Sequence, residues 1–237
     1  MFGRQAFGHD PAGYDAARSD YPDWVFNFLC ERCGLTSGAV TFEIGAGTGK
    51  ATRQLLELGA NPLVAVEPNV RLATFLRETI PDKALAVMVA PFEEAVLQEA
   101  SFDMGLSATA FHWLNEDFGL TKVAKLLRPG GWWAMLWNVF GDCRLPDPFH
   151  EATKSLVNGP LSPSIGNDEV PFALDAKARL AALERTNAFD SIEHRTSAWS
   201  LVLDPHQTVA LYATYSNVNM HPDREHVLSG VGSYSPR

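Results

Sequence analysis

The sequence predicts an α/β fold: a doubly wound, mostly parallel sheet with helices on both faces. Three observations predict it. Short apolar runs alternate with helical segments from Val40 to Trp137, the pattern of strands joined by crossover helices. The first run leads through Gly45, Gly47 and Gly49 into a helix, a strand–turn–helix junction in which the backbone is bare enough to meet a ligand. The last run, Trp132 to Trp137, is apolar throughout, as a parallel strand covered on both faces should be.

Taken in order, residues 1–21 read as polar and irregular. Pro22 suits a helix first turn, and Trp24, Val25, Phe28 and Leu29 recur at helical spacing up to about Cys33, with Gly34 as the stop. Val40–Ile44 is the first strand, and the helix behind the glycines runs to about Leu58. Leu63–Glu67 is the second strand. Asn69 is the expected cap of a helix carrying Leu72, Phe75, Leu76 and Ile80, which Pro81 stops. Leu85–Val89 is the third strand, followed by a short acidic helix expected at 93–99. Phe102–Ser107 is the fourth strand, and a helix over 116–127 ends at Arg128-Pro129-Gly130-Gly131. Beyond Asn138, helices are expected at 147–157 and 175–187, with a proline- and glycine-rich loop, 159–171, between them. Loops of that length are often lids. Ile192–Leu203 alternates like a strand, Pro205–Ser216 reads as a helix, and Asp223–Arg237 carries little pattern.

Composition narrows the function. The chain has 237 residues, 46% of them hydrophobic, and a mean hydropathy of −0.08, which suits one soluble α/β domain with an appended segment. No apolar run approaches a membrane span. The N-terminus has no hydrophobic signal core, so a cytoplasmic location is expected. The net charge of −9 comes without the basic stripe that phosphate neutralisation needs, so small-molecule chemistry is favoured over nucleic acid. Cys30 and Cys33 end a helix and have no second pair, which reads as two helix cysteines rather than zinc or redox chemistry. The histidines show no metal-ligand spacing, and no metal is expected.

The glycine loop discriminates among ligands. A phosphate-binding P-loop needs Gly-Lys followed by Ser or Thr, but Gly49-Lys50 is followed by Ala51, and Ile44 stands where the first glycine belongs. A dinucleotide fingerprint needs a third glycine where Lys50 stands. What stands is Glu43-x-Gly45-x-Gly47-x-Gly49, with Glu67 at the end of the next strand. A carboxylate there can accept from both ribose hydroxyls of an adenosine. Glu43 would repel a pyrophosphate but suits a cationic ligand.

Phe42-Glu43-Ile44-Gly45-Ala46-Gly47-Thr48-Gly49 resembles motif I of the class I S-adenosylmethionine-dependent methyltransferases. Val66-Glu67-Pro68-Asn69 resembles the acidic motif that follows, and Pro91-Phe92-Glu93-Glu94 the segment lying along the adenine in one subgroup. Ser101-Phe102-Asp103 to Phe111-His112-Trp113 and Leu127-Arg128-Pro129-Gly130-Gly131 are similar to that subgroup's fourth strand and the turn before its fifth. Phe7, Tyr14-Asp15, Arg18 and Tyr21-Pro22 complete the likeness, which covers about residues 5–140. The subgroup is similar to the trans-aconitate and quinone-biosynthesis methyltransferases.

The resemblance implies a single Rossmann-like methyltransferase domain. Its parts would be a cofactor-covering segment (1–35), a cofactor-binding core (36–140), a helical substrate lid (141–190) and a C-terminal strand, helix and tail (191–237). It implies S-adenosylmethionine as cofactor and S-adenosylhomocysteine as product. Gly45, Ala46, Gly47 and Gly49 would contact the methionine part, Glu67 with Pro68 the ribose, and Pro91, Phe92 and Glu93 the adenine. Glu43 would help orient the amino group, Ala108 would line the site, and Tyr14 and Arg18 would close over the cofactor. His112, after the fourth strand, is the candidate general base. The Asn/Asp-Pro-Pro-Tyr motif of nucleobase and glutamine amine methyltransferases is absent, Ser107-Ala108-Thr109-Ala110 standing in its place. Relatives usually add a final antiparallel strand, which the tail from Ser229 does not encode, so that strand is expected to be missing. The leading function is methyl transfer to a small molecule by a monomer or homodimer. A non-catalytic nucleotide-binding protein and an NAD(P)-dependent dehydrogenase are the alternatives.

Overall fold

The structure, a computed structural model, describes residues 7–140, 148–157 and 170–234. The described residues fall into two units, residues 19–138 with 177–192 forming one, and residues up to 18, 139–176 and 193 onward the other.

The larger unit is built on five parallel strands: β1 (Thr41–Ile44), β2 (Leu63–Val66), β3 (Leu85–Met88), β4 (Phe102–Ala108) and β5 (Leu127–Leu136), in the order β3-β2-β1-β4-β5. The chain runs outward from β1 to β3, then crosses back to β4 on β1's other side. Strand order therefore reverses between β1 and β4, and a ligand crevice in such sheets opens there at the carboxyl ends of the strands.

Alternation assigns each strand residue to a face. Phe42, Ile44 and Val66 go to one face, where they meet Phe92, Phe102, Phe111 and helix α5 (Glu116–Leu126) through Leu120 and Val123. Leu63, Met104 and Leu106 go to the other, against α2 (Asp23–Arg32) through Phe26 and Leu29 and α3 (Lys50–Glu57) through Ala51 and Leu55. Ala65, on that second face, packs with Leu76 of α4 (Val70–Thr79). A register shift between Phe102 and Met104 lets β4 serve both clusters. Phe42 is the hinge of the first cluster: its ring lies 5.0 Å from Phe102, 6.0 Å from Trp133 and 6.3 Å from Phe92. Gly105 makes room for it, since a Cβ there would sit 2.3 Å from the Phe42 ring.

Several expectations change. The segment 93–99 is a turn followed by irregular chain, not a helix; two of its carbonyls, those of Glu93 and Ala95, accept from the Lys122 ammonium instead of joining a helical ladder. Residues 177–190, the last part of the expected lid, belong to the sheet unit. Helix α7 (Ala176–Arg185, numbered after α6 at Pro148–Thr153) buries Ala182 completely in the Phe42 cluster, and Arg179 and Arg185 pair with Glu116 and Asp117 at 2.7 and 2.8 Å. Residues 159–169 of the expected loop, residues 141–147 at the start of the expected lid, and the last three of the tail lie outside the described residues. Ile192–Leu203 has the alternation of a strand but forms none, and all but Ile192 and Leu203 are exposed. Among the described residues no strand follows β5 and none is antiparallel, so β5 is the sheet edge.

The smaller unit is helical. Helix α1 (Pro11–Ala17), capped by the Asp10 side chain, contacts α8 (Pro205–Tyr212), which starts with an Asp204/Gln207 capping box. Helix α9 (Ser216–Asn219) follows, and α10 (Arg224–Gly232) forms where the sequence reads as unpatterned. Tyr212, Val218, Val227 and Val231 are its core. Tyr14 and Arg18 belong here. The Arg18 guanidinium is stacked between the rings of Tyr14 (5.3 Å) and Tyr215 (4.7 Å), and its Nε donates to Thr214 Oγ1 at 2.8 Å. The partners found for this arginine are thus in its own unit, fastening the end of α1 beside the α8–α9 junction.

Candidate functional site

The glycine turn joins β1 to α3 at the strand-order reversal. Gly45, Gly47 and Gly49 all have positive φ (69°, 58° and 92°), which side chains other than glycine adopt only with strain. Their surroundings separate them. A Cβ on Gly45 would sit 2.4 Å from Ala110 Cβ, and one on Gly49 within 2.6 Å of Leu76 and Ile80. Those two glycines let packed elements approach. A Cβ on Gly47 would meet no protein atom within 4 Å, so of the three it is the one whose bare backbone faces open space.

Two carboxylates flank the turn. Glu67, just past β2, is 4% exposed. Its Oε2 accepts from Gly47 N–H and its Oε1 from Asn69 N–H, both at 2.8 Å. Burial pushes its pKa up, while the two amides pull it back. Each oxygen keeps a second lone pair, so a ligand hydroxyl can still bind. Asn69 in turn caps α4, accepting from Arg71 and Leu72 N–H. One carboxylate therefore ties the tip of the glycine turn to the start of α4.

Glu43 does something else. As an odd-numbered residue of β1 it points to the α2/α3 face, and its Oε2 accepts from Thr52 Oγ1 on α3 at 2.6 Å, with Glu43 1% and Thr52 0% exposed. Desolvation pushes its pKa up to about 8, against the opposing Thr52 bond, with Glu67 adding to the rise. At neutral pH this group is mostly a neutral acid under a helix. The expectation that it helps orient a cationic ligand is corrected: strand alternation aims it into the protein.

Phe92 is corrected in a similar way. Its ring is 2% exposed and stacks with Phe42 in the core, so a ligand can meet this residue only through its backbone. Pro91, Phe92 and Glu93 form a turn closed by Glu94 N–H and Ala95 N–H donating to Pro91 O at 3.0 Å each.

At the end of β4, Ala108 pairs with Leu136. Thr109 then turns with φ of 54°, unusual for a β-branched residue, held by its N–H to Leu136 O and its Oγ1 to Tyr21 OH, both at 2.8 Å. That turn sets Ala110 against Gly45 and starts the 3-10 turn Phe111–Trp113, with Phe111 fully buried. His112 is half-buried beside it, and Trp137 Nε1 lies 3.2 Å from its Nδ1. An indole N–H can only donate, so Nδ1 is an acceptor and the neutral imidazole carries its proton on Nε2. Its Nδ1 lone pair is thus engaged by Trp137. Tyr21, which holds the Thr109 turn, and Lys122, whose Nζ donates to the carbonyls of Phe92, Glu93 and Ala95, lie beside these residues and were not singled out by the sequence as site residues. Tyr21 stood out only as part of an N-terminal pattern, and Lys122 carried no signal at all.

The chemistry of these groups fits an adenosine-bearing ligand. A carboxylate at the β2 end suits ribose hydroxyls, and the bare backbone at Gly47 permits close approach. Residues 42–135 match the model of the methyltransferase domain family. This stretch is a methyltransferase domain. An uncharacterized methyltransferase of Schizosaccharomyces pombe is 26% identical over 210 residues, 81% of each chain. One from Mycobacterium tuberculosis is 34% identical over 137 residues, 56% of this chain and 52% of the relative. The chain thus spans four-fifths of the first relative and about half of the second. Among solved structures, phosphoethanolamine N-methyltransferase 2 of Haemonchus contortus with S-adenosyl-L-methionine is similar, with a TM-score of 0.56 at 16% identity over 76% of this chain and 41% of that one. An S-adenosylmethionine-dependent methyltransferase of Mesorhizobium loti gives 0.50 at 20% identity, over 68% and 79%. The fold is that of the class I S-adenosylmethionine-dependent methyltransferases, whose cofactor is S-adenosylmethionine.

Proposed function

We propose that the chain transfers the methyl group of S-adenosylmethionine to a small molecule and releases S-adenosylhomocysteine. The observation that carries this reading is the Gly47–Glu67 pair: an open glycine whose amide is held by a buried carboxylate at the end of β2, where the strand order reverses. Gly45, Ala46, Gly47 and Gly49 would hold the methionine part, Glu67 and Pro68 the ribose, and the backbone of Pro91–Glu93 the adenine. Bound S-adenosylmethionine supplies a methyl on a leaving group that is already activated. The protein's share is then to align the acceptor in line with that methyl and keep water out. With Nδ1 accepting from Trp137, the neutral His112 ring would carry its proton on Nε2 and would orient the acceptor by donating to it; to act as the general base it would first have to give up the Trp137 bond. The acidic balance of the chain, −9 overall, favours a small acceptor over a nucleic acid.

Isothermal titration with S-adenosylmethionine, S-adenosylhomocysteine, NAD and NADP tests the cofactor. Binding of the first two is expected, and binding of only a nicotinamide nucleotide overturns the reading. Methyl transfer is then sought by mass spectrometry over a panel of small acids, phenols, thiols and amines. Binding without transfer to any acceptor would favour a non-catalytic binding protein. In 15N-labelled protein, the His112 ring nitrogens should show a protonated Nε2 and a bare Nδ1. A protonated Nδ1 contradicts the donor role.

A further inference from the structure

Leu136, Trp137 and Asn138, at the end of β5, each hold a different neighbour. Leu136 O accepts from Thr109 N–H at 2.8 Å, Trp137 Nε1 donates to His112 Nδ1 at 3.2 Å, and Asn138 Nδ2 donates to Asp20 O at 3.2 Å. Tyr21 closes the circuit, with its hydroxyl 2.8 Å from Thr109 Oγ1. The chain before α2 and the chain after β4 are thus tied both to β5 and to each other. The Tyr21 ring packs against the cluster around Phe26 and Leu29, so its hydroxyl is carried on a fixed support.

Thr109 needs such a hold. Its φ of 54° is a left-handed conformation that a β-branched residue keeps only where its surroundings impose it. Leu136 imposes it through the backbone and Tyr21 through the hydroxyl. His112 follows three residues later, and the turn between is stiff: Trp113 N–H donates to Ala110 O at 3.1 Å and Leu114 N–H to Phe111 O at 3.0 Å. The buried Phe111 ring anchors that turn at one point, whereas the backbone at Thr109 sets the direction from which the chain enters it. A relaxed Thr109 would rotate His112 about that anchor and loosen its bond to Trp137.

We propose that Tyr21 is a positioning residue for methyl transfer: by holding Thr109 in its left-handed conformation, its hydroxyl keeps His112 in place against Trp137. This rests on the reading that His112 orients the acceptor. The role needs only the hydroxyl, since the ring is held by the core cluster with or without it. It is also separate from the hold on the cofactor, which is assigned to the glycine turn, Glu67 and the backbone of residues 91–93.

The test compares Y21F, T109G and the double variant with the wild type, all as the full chain. Hydrogen exchange of the Trp137 indole is followed in 15N-labelled protein, with the resonance assigned by W137F, and S-adenosylhomocysteine binding is followed by isothermal titration. Y21F removes one hydroxyl. Its Trp137 indole should exchange about tenfold faster, as one lost hydrogen bond implies, while S-adenosylhomocysteine affinity stays within about twofold. Glycine adopts a φ of 54° without strain, so T109G holds the turn without the hydroxyl. Its indole should exchange within about threefold of the wild-type rate, and adding Y21F should change nothing further. On the compound methylated in the acceptor panel, Y21F turnover at saturating S-adenosylmethionine should fall about tenfold, and T109G should restore most of it in the double variant. Indole exchange unmoved by Y21F overturns the proposal. Fast exchange that T109G does not rescue also overturns it, because Tyr21 then acts through another contact. So does a loss of S-adenosylhomocysteine affinity as large as the gain in exchange, the mark of a merely structural tyrosine. Indole exchange that responds while turnover does not overturns the orienting role of His112 and the proposal with it. Wild-type protein that does not bind S-adenosylhomocysteine overturns the methyl-donor reading itself.

Discussion

Glu43 and Glu67 stand at the ends of neighbouring parallel strands and face opposite tasks. Both are almost completely buried. Glu43 bonds one side chain, Thr52, under helix α3. Glu67 bonds two backbone amides, of Gly47 and Asn69, at the mouth of the crevice. The difference comes from two positions in register, since Glu43 lies opposite Ala65 and Glu67 one residue beyond the Ile44–Val66 pair. Glu43 lies within β1, where alternation sends it into a packed face, while Glu67 follows the last ladder residue of β2, where the chain has left the sheet. A buried acid inside a strand is a matter of stability; one just past the strand is in reach of a ligand.

The largest expected effect tests the ligand side. Gly47→Leu should reduce S-adenosylhomocysteine binding by more than about a hundredfold, or about 3 kcal/mol. The protein should still fold, because nothing lies within 4 Å of the added Cβ and the positive φ costs only about 1–2 kcal/mol. Titration and circular dichroism check the two halves, and a folded variant that binds normally breaks the assignment of Gly47.

The structural side has a pH signature. Burial pushes the Glu43 pKa up to about 8 in the folded chain, from an ordinary 4.5. For an acid raised in this way, the stabilisation is complete below the unfolded pKa and is lost as pH rises through the folded one. Urea unfolding should therefore show stability falling between about pH 4.5 and 8, by on the order of a few kcal/mol, then levelling. Glu43→Gln should flatten that slope and be the more stable form at pH 9 relative to the wild type. An unchanged slope would mean that Glu43 does not govern it.

Glu67→Gln comes next. The amide has one acceptor oxygen where the carboxylate has two, so either Gly47 or Asn69 loses its partner. S-adenosylhomocysteine should bind about 1–3 kcal/mol more weakly. If affinity is intact, the contrast between the two acids fails. Thr52→Val is the smallest effect, about 1 kcal/mol of stability for one lost hydrogen bond, and it removes an interaction that lowers the Glu43 pKa. Cofactor affinity should stay within about twofold, roughly 0.4 kcal/mol, as measured by the same titration. A large loss of binding would bring Glu43 back toward the ligand.

The fold was legible wherever local pattern and tertiary role agree. The first four strands were readable within a residue or two because apolar runs between turn signals suit a sheet buried on both faces, and Asn69 was readable as a cap. Helix α5 was readable to its end, although β5 begins at Leu127, ahead of the tryptophan run. The misreadings share a cause. Residues 93–99 have helical composition, but Lys122 takes two of the segment's carbonyls, with that of Phe92 just before it. Ile192–Leu203 has strand alternation, but alternation forms a strand only with a neighbour to pair. Helix α10 has weak periodicity and takes its order from burying Val227 and Val231 against Tyr212 and Val218.

By itself the sequence determined the five strands of the sheet, the place of the glycine turn and the presence of an acid after β2. These follow from residue type and spacing, which are local. Only the tertiary structure decided which glycine is open, which acid faces the crevice, which nitrogen of His112 holds its proton and which lysine grips the turn after β3. Each of those depends on a partner distant in the chain (Ala110, Thr52, Trp137 and Phe92 in turn), and the sequence lists such partners without saying that they meet.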